Sequence, residues 1–490
     1  MEPLEPAKPD SHNVPRCALL GLGLTLLALA VRIPGYVLQL FDPDEATIAD
    51  QAITLRDGGR LYIDAIDRKP PLPTFLYEGT FRLFHSVDLR PVHLLAALFL
   101  AVAGCAVASD VALRSRSERV WAGVLLVTGA VAFLPDSGQG ANYAHFALAP
   151  GALAIVLARR RTAPTAVLAG LALAAAVLCR QTWLIGLLPA AVAIGRGRRW
   201  SQLAYFVGGF AVGGAGLLPW LPATQAWHWI FASNEGFLLA APNWSMVWVS
   251  FSGGLALLVG LHLVLCVGIV ARLRRAGSLR RAVGTDIDLW LWWATATVAW
   301  ISGFRFFAHY WMQSLPPLVL LAAPALASCG PRARRTAAVV LAATTALAVG
   351  AAFTPGSFRT LPDARPLARY VAEHTSPGQQ VLVWGNLPQV QWLADRPLGG
   401  ALVHSDFIVG RSGNRTFGPA TMRSATPGAA RAMLDSVQAH PPQLIIDTST
   451  SDLYGYRLYP LSDFPQLNSF VHSRYLRTAT VQGATIYRRR

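Results

Sequence analysis

The stretch 41–76, FDPDEATIADQAITLRDGGRLYIDAIDRKPPLPTFL, carries Asp42, Asp44, Glu45, Asp50, Arg56, Asp57, Arg60, Asp64, Asp67, Arg68 and Lys69 between two long apolar runs. Asp42, Asp44 and Glu45 lie close enough in sequence to act together, either as a general base with neighbouring acids or as caps of the helix that follows, because acids suit a helix N-terminus. Downstream, Asp67-Arg68-Lys69-Pro70-Pro71-Leu72-Pro73 sets two cations at the start of a proline-stiffened turn, which fixes where Lys69 points. Lys69 is, with Lys8, one of only two lysines in a chain whose lysines and arginines total 42. An ammonium is a compact point charge suited to phosphate; the same residue could also be a cation snorkelling to an interface. Carboxylates opposite such a cation suggest removal of a proton from an acceptor hydroxyl while positive charge stabilises a departing lipid-linked phosphate.

The rest of the chain has to hold this stretch at a bilayer surface. Of 490 residues 53% are hydrophobic and 14% charged, and apolar runs long enough for a hydrocarbon core of about 30 Å recur along the sequence. Eleven spans are expected, near 17–40, 91–113, 120–135, 144–158, 164–179, 182–195, 202–220, 246–270, 288–304, 311–328 and 336–353. The first apolar run lacks a following small-residue cleavage pattern and is read as a retained span. The formal charge of +16 is gathered in clusters after every second span: Arg114/Arg116/Arg119, 159–161, Arg196/Arg198/Arg199, Arg272/Arg274/Arg275/Arg280/Arg281 and Arg332/Arg334/Arg335. The positive-inside rule makes these cytoplasmic and explains the charge without a nucleic-acid partner. The N-terminus is then cytoplasmic, whereas 41–90, 136–143, 180–181, 221–245, 305–310 and everything after 353 face outward.

Residues 354–490 change character. Strand-length runs at 381–384 and 444–447 alternate with helical patterns at 363–374 and 427–439, and YLRTATVQGATIYRR reads as a hairpin turning at Gln482-Gly483. The expected architecture is a polytopic α-helical membrane module, 1–353, with interfacial juxtamembrane helices and an extracytoplasmic α/β domain, 354–490. Within the first outer loop, the pattern from Asp44 to the stop at Asp57-Gly58-Gly59 predicts a short amphipathic helix along the interface. The outer loop 221–245 offers Trp227, His228, Trp229, Asn234, Glu235, Asn243 and Trp244, which suit sugar binding or a headgroup belt. The five cysteines fall in or at the ends of apolar runs and show no disulfide or zinc spacing. The sequons Asn243-Trp244-Ser245 and Asn414-Arg415-Thr416 carry weight only in a eukaryotic secretory pathway.

The DxDE pattern, its helix, Gly-Gly and KPPLP together resemble the first outer loop of bacterial C-type glycosyltransferases, the superfamily of protein O-mannosyltransferases and the lipid A aminoarabinose transferase. The segment Arg305-Phe306-Phe307-Ala308-His309-Tyr310-Trp311-Met312-Gln313-Ser314-Leu315-Pro316-Pro317 is similar to the R-x-x-x-H-Y-x-x-Q-x-x-P segment of many members, and ARYVAEHTSPGQQVLVWGNLPQVQWLADR resembles their outer domain. The resemblance implies an inverting transfer of a sugar from a polyprenyl phosphate to an extracytoplasmic glycan, lipid or protein. It makes Asp44 the base, with Asp42 and Glu45 beside it as acceptor contacts or as ligands of a divalent cation such as Mg or Mn. Lys69 would hold the donor phosphate, with Arg305 and His309 near it and Tyr310 and Gln313 lining the pocket. Relatives often carry a further acid near the start of the fourth span. Here Asn142 and His145 occupy that place, with Asp136 a few residues earlier. A flippase of a lipid-linked saccharide, or a polymerase or ligase using a polyprenyl-diphosphate glycan, shares this topology. Arg32 and Asp110 fall inside expected spans, both near ends, and such scarcity of charge disfavours coupled transport.

Overall fold

The computed structural model describes residues 13–196, 200–234, 242–354, 361–412 and 417–490. Arg198, Arg199, Glu235 and the sequon Asn414-Arg415-Thr416 lie outside the described residues. The helical part comprises α1 (Asn13–Val31), α2 (Pro43–Arg56), α3 (Leu72–Phe84), α4 (Arg90–Ala108), α5 (Arg116–Val131), α6 (Tyr143–Arg160) and α7 (Ala163–Cys179). It continues with α8 (Leu187–Gly195), α9 (Trp200–Ala215), α10 (Trp244–Leu261), α11 (Leu263–Ala276), α12 (Ile287–Ile301), α13 (Leu315–Ala327) and α14 (Pro331–Ala351).

Every stretch expected to span is helical over most of its length. Among the described residues, however, only Arg90–Ala108, Trp200–Trp220 and Trp244–Leu261 are both long and apolar enough to cross a membrane. The stretch 246–270 is two helices, parted at His262, whose Nδ1 lies 3.0 Å from the Leu258 carbonyl and Nε2 3.0 Å from that of Gly129. This ring ties the junction of α10 and α11 to α5. Leu19, Leu22 and Leu26 on α1, Val207 and Val212 on α9, Val249 and Val259 on α10, and Val339 and Leu347 on α14 are exposed. Apolar side chains repeated around a helical bundle mark a surface solvated by lipid, as in an integral membrane protein. Helices α7 and α9 approach through Gly170 and Gly209. A Cβ on either would run into the other helix's backbone, the small-residue contact that lets helices pack where burial from water gives no drive.

The two ends of the bundle are chemically different. At one, Arg159 at the end of α6 donates from Nε to Asp110 at 3.0 Å and from Nη2 to Asp286 at 3.4 Å, and also pairs with Asp288. Arg196 adds a bond to Asp288 at 2.8 Å and Arg272 pairs with Asp286, so the loops beside α4, α6, α8, α11 and α12 share one network. The other end carries the first loop and the C-terminal segment.

In that segment β1 (Val381–Trp384), β2 (Leu444–Asp447), β3 (Tyr475–Val481) and β4 (Ala484–Arg489) form a sheet of order β1-β2-β4-β3, with β1 and β2 parallel and the other pairs antiparallel. The two parallel strands occupy the residues expected, and every residue of both is buried, as strands covered on both faces are. The hairpin turns at Gln482 (φ 50°) and Gly483 (φ 78°), the paired left-handed conformations of a type I′ turn. Helices α15 (Arg365–His374), α16 (Ala429–Ala439) and α17 (Pro465–Arg474) pack around it.

The segment shares a core with the first loop: Leu61, Tyr62, Ala65 and Ile66 join Trp384, Leu402, Phe407 and Tyr456 in one apolar cluster. Helix α2 therefore departs from the expected interfacial form. Its residues from Glu45 to Thr54 are all buried, because the segment roofs it: the Thr54 hydroxyl accepts from the Leu398 amide at 3.1 Å, and Arg56 pairs with Asp395 at 2.8 Å. Ala46, Ala49 and Ala52 make it narrow enough to be covered on all sides.

Removing the buried hub of the charged network strands several carboxylates at once. Arg159→Ala should destabilise the protein by about 3–5 kcal/mol, read as a lowered melting temperature in detergent. Arg160→Ala, which removes only a surface bond to Ser109 at 3.4 Å, should leave it nearly unchanged.

Candidate active site

The site is built from the start of α2. Asp42 is its N-cap, with extended backbone (φ −134°, ψ 136°) and Pro43 in the first helical turn. The Asp42 Oδ1 accepts the Asp44 amide at 2.8 Å, and Glu45 Oε2 reaches back to the amides of Asp42 (3.1 Å) and Phe41 (2.8 Å). This reciprocal box satisfies amides that a helix start leaves without partners. The other oxygens of both acids point to the turn before α6: Glu45 Oε1 accepts the Ala141 amide at 2.7 Å, and Asp42 Oδ2 the Asn142 side-chain amide at 2.8 Å. Asn142 in turn caps α6 through the Ala144 amide (3.1 Å), with His145 Nδ1 at 3.3 Å. Asp42, Glu45, Asn142 and His145 thus fasten the loop to the bundle.

Asp44 is turned the other way, its Oδ1 2.5 Å from Lys69 Nζ. It lines a cavity of about 100 Å³ with Arg68, Lys69, Tyr143, Arg180, Gln181, Thr182, Asn234, His309 and Tyr310. Each cation is held by an aromatic ring: Lys69 Nζ lies 4.5 Å from the Tyr143 ring, the Arg180 guanidinium 3.8 Å from Tyr310, and that of Arg68 4.6 Å from Phe407. The Tyr143 hydroxyl donates to Asp67 at 3.1 Å and that of Tyr62 to the Lys69 carbonyl at 2.8 Å. The Arg68 carbonyl accepts from Gln181 (3.3 Å) and Asn234 (3.4 Å).

Of the residues expected from the late outer turn, His309 and Tyr310 line the cavity. Gln313 stands behind it, accepting from the Thr182 hydroxyl at 3.0 Å. Arg305 is buried but is not among the lining side chains; it sits in a turn where Gly303, Phe304 and Phe306 all take positive φ. Asn234 brings one polar residue of the outer loop to the site, whereas Trp227 and Trp244 are exposed. Arg68, Tyr143, Arg180, Gln181 and Thr182 belong to the site without having been given a role from sequence. The signal for Arg180 was present: an arginine alone between two apolar runs, on the side where the positive-inside rule disfavours it.

Burial pushes the Asp42 carboxyl well above the usual carboxylate range and Glu45 up to about 7, against the pull of three backbone amides and Arg32. Burial draws the Lys69 ammonium down, but Asp44 and Asp67 outweigh it and leave Lys69 above its ordinary value, a cation throughout the neutral range. Burial, with Arg180 and Lys69 nearby, holds His309 well below the usual imidazole range, so it is neutral. A site for a divalent cation made from Asp42, Asp44 and Glu45 does not fit this arrangement. The oxygens of Asp42 and Glu45 are engaged with backbone and Asn142, and among the described residues no group of three or more His, Cys, Asp or Glu is placed to hold a metal.

Glu45 gives a pH test. Its folded pKa exceeds the unfolded value, so its contribution to stability is full below about 4.5 and is lost as pH rises through about 7. Glu45→Gln removes that titration and, by turning an amide N–H toward a backbone N–H, lowers stability overall. The melting-temperature gap between wild type and Glu45→Gln should therefore narrow from pH 5 to pH 7; a gap that widens would mean Glu45 is ionised in the fold.

Among solved structures the chain is similar to ArnT from Cupriavidus metallidurans bound to undecaprenyl phosphate, with a TM-score of 0.56 at 13% identity over 98% of each chain. The apo state of ArnT gives 0.56 at 14% identity over 95% of this chain and 98% of that one. An archaeal oligosaccharyltransferase, AglB from Archaeoglobus fulgidus in complex with an inhibitory peptide and a dolichol-phosphate, gives 0.53 at 13% identity over 96% of this chain and 74% of that one. No protein-family model matches the sequence, and no curated protein matches it. At such identities the likeness is one of fold: the chain has the C-type glycosyltransferase fold to which its DPDE and KPPLP motifs pointed.

Proposed function

We propose that this protein is an inverting glycosyltransferase that moves one sugar from a polyprenyl-phosphate donor to an acceptor on the outer face of the membrane. The observation that carries this reading is one carboxylate, Asp44, facing Lys69, Arg68 and Arg180 in a single cavity. ArnT holding undecaprenyl phosphate and AglB holding dolichol-phosphate on the same fold support the donor class. In the corresponding topology eleven helical stretches span, the end bearing Arg159 and the N-terminus face the cytoplasm, and α2 and the C-terminal segment face outward.

Without donor, Lys69 neutralises Asp44. A phosphate bound between Lys69, Arg68 and Arg180 competes for that ammonium and leaves the Asp44 oxygen to take the acceptor's hydroxyl proton. The acceptor oxygen forms its bond to the anomeric carbon as the bond from that carbon to the phosphate oxygen breaks. The electron pair stays on the departing polyprenyl phosphate, where the three cations stabilise it. One displacement inverts the centre and needs no enzyme nucleophile. Neutral His309 donates a hydrogen bond to a phosphate or sugar oxygen, and Tyr310 packs beside it. Asp42, Glu45, Asn142, His145 and Gln313 position the walls, and Arg305 supports the turn that carries His309. Arg32 and Asp110 do not favour a transporter. Arg32 donates to the Gly138 carbonyl at 3.3 Å and Asp110 is paired with Arg159, so both are engaged in packing.

The test is transfer by purified protein in nanodiscs from labelled polyprenyl-phosphate monosaccharides, with polyprenyl-diphosphate glycans as the competing donor class. Release of polyprenyl phosphate together with labelled product is expected, unaffected by EDTA. Asp44→Asn should lower kcat by about 10²–10⁴-fold with normal folding, and near-normal turnover would remove Asp44 from the role of base. Lys69→Ala should raise KM for donor; an unchanged donor dependence would count against phosphate binding there.

A further inference from the structure

A second cluster of polar side chains stands beside the first, in the C-terminal segment. The backbone of the first loop places it: the Ile66 amide donates to the Ala401 carbonyl at 2.7 Å and the Val403 amide to the Ile66 carbonyl at 3.2 Å, a short parallel bridge. Asp67, Arg68 and Lys69 leave this bridge on one side, His404 and Asp406 on the other. Phe407 touches both, with the His404 ring 4.9 Å and the Arg68 guanidinium 4.6 Å from its own ring.

Asp406 is the centre of the cluster. Its Oδ1 accepts from the Tyr456 hydroxyl and its Oδ2 from the Asn386 side-chain amide, both at 2.6 Å. Arg411 Nη1 lies 4.0 Å away, and its guanidinium packs on the rings of Tyr454 (4.6 Å), Phe417 (4.7 Å) and Tyr456 (5.6 Å). Four polar atoms here are buried without a hydrogen-bond partner among the described residues: Asn386 Oδ1, His404 Nδ1, Arg411 Nη1 and Ser412 Oγ. Leaving even one such atom unsatisfied costs about 1–3 kcal/mol, so four in one cluster call for a ligand. The loop that supplies Tyr454 holds Asp452, Tyr454 and Gly455 at positive φ (58°, 57° and 74°), and backbone strain of this kind gathers at binding sites. Tyr454 lies within electrostatic reach of both clusters, since the charges of Arg411 and Asp406 and those of Asp42 and Asp44 act on its hydroxyl.

We infer that Asn386, His404, Asp406, Arg411, Ser412 and Tyr454 form a subsite for a neutral saccharide, and hence that the acceptor of the transfer proposed above is a glycan. The donor set decides the class. Arg411 is balanced by Asp406, so an anionic group gains little, while mixed donors and acceptors beside an aromatic face match the hydroxyls and apolar face of a sugar ring. A saccharide seated here lies beside the cavity of Asp44, joined to it through the contacts of Arg68 and His404 with Phe407.

This inference rests on the transfer reading, and the experiment separates the two. The full chain in nanodiscs is given labelled polyprenyl-phosphate sugars with three acceptor panels: neutral hexose and pentose oligosaccharides, Ser/Thr peptides, and a phosphorylated glycolipid. Label should pass to the oligosaccharides. Tyr454→Ala and the milder Ser412→Ala should each raise KM for that acceptor, by about tenfold and a few-fold respectively, with KM for donor within twofold of wild type. The same Tyr454→Ala protein should lose binding of the oligosaccharides measured by titration without donor. Label reaching only peptides or the phosphorylated lipid, or variants that change donor KM instead of acceptor KM, would overturn the subsite and leave the donor reading standing. A wild-type protein that consumes no polyprenyl-phosphate sugar with any panel would overturn both.

Discussion

Glu45 is buried where no water can solvate it, and it is accommodated because three backbone amides converge on its two oxygens. Two belong to the start of its own helix and the third to the turn before α6, so one carboxylate fixes α2 against the bundle. Successive helical residues point about 100° apart, and with Glu45 committed inward Asp44 has to face the cavity. The roof of α2 depends on the same anchor. Thr54 and Arg56 at the far end of the helix hold Leu398 and Asp395 of the C-terminal segment. The bundle, the helix and the segment therefore take their relative positions from one short piece of chain.

Inside the cavity the charge is unequal by construction. Lys69, Arg68 and Arg180 face Asp44, with Asp67 engaged by Tyr143 behind them. At an effective dielectric constant of about 20, unit charges 4 Å apart interact by about 4 kcal/mol. Burial makes each cation costly there, and an anion that approaches all three is correspondingly favoured. The aromatic partners of each cation, Tyr143, Tyr310 and Phe407, reduce the cost of keeping the positive charge in place before an anion binds. Neutral His309 adds hydrogen-bonding capacity without adding charge, so the lining combines three cations with neutral polar contacts, a set that suits an anion.

The sequence made some of this legible and hid the rest for physical reasons. The acid-rich loop, the Lys-Pro-Pro turn, the two parallel strands and the Gln482-Gly483 hairpin were visible because each is local: caps, prolines and turn residues act on their immediate neighbours. The division of labour among Asp42, Asp44 and Glu45 was not, since all three are acids at a helix start and only the direction of each side chain separates a fastening role from a chemical one. Arg180 and Tyr143 join the site through contacts with residues more than seventy positions away, Tyr310 and Lys69 respectively, beyond any local pattern. Helix α2 looked interfacial because its exposed and buried faces cannot be told apart until the C-terminal segment covers it. The break at His262 was hidden within a continuous apolar run, as its ring finds a carbonyl partner in α5, Gly129, that hydropathy does not register.

The bridge between Ile66 and Leu402 gives the arrangement its geometric economy. A single displacement requires the attacking oxygen, the anomeric carbon and the leaving oxygen in line, with the reacting atoms about 3–3.5 Å apart. Misplacement by an ångström is expensive. Here Arg68 and Lys69, which line the cavity, and the polar cluster at 404–412 start from opposite sides of the same pair of backbone hydrogen bonds, at 2.7 and 3.2 Å. A movement of the loop carries both sides together, and their separation is held by backbone atoms that substitution of side chains leaves in place. The fold thereby fixes the distance between two halves of a site that lie more than three hundred residues apart in the chain.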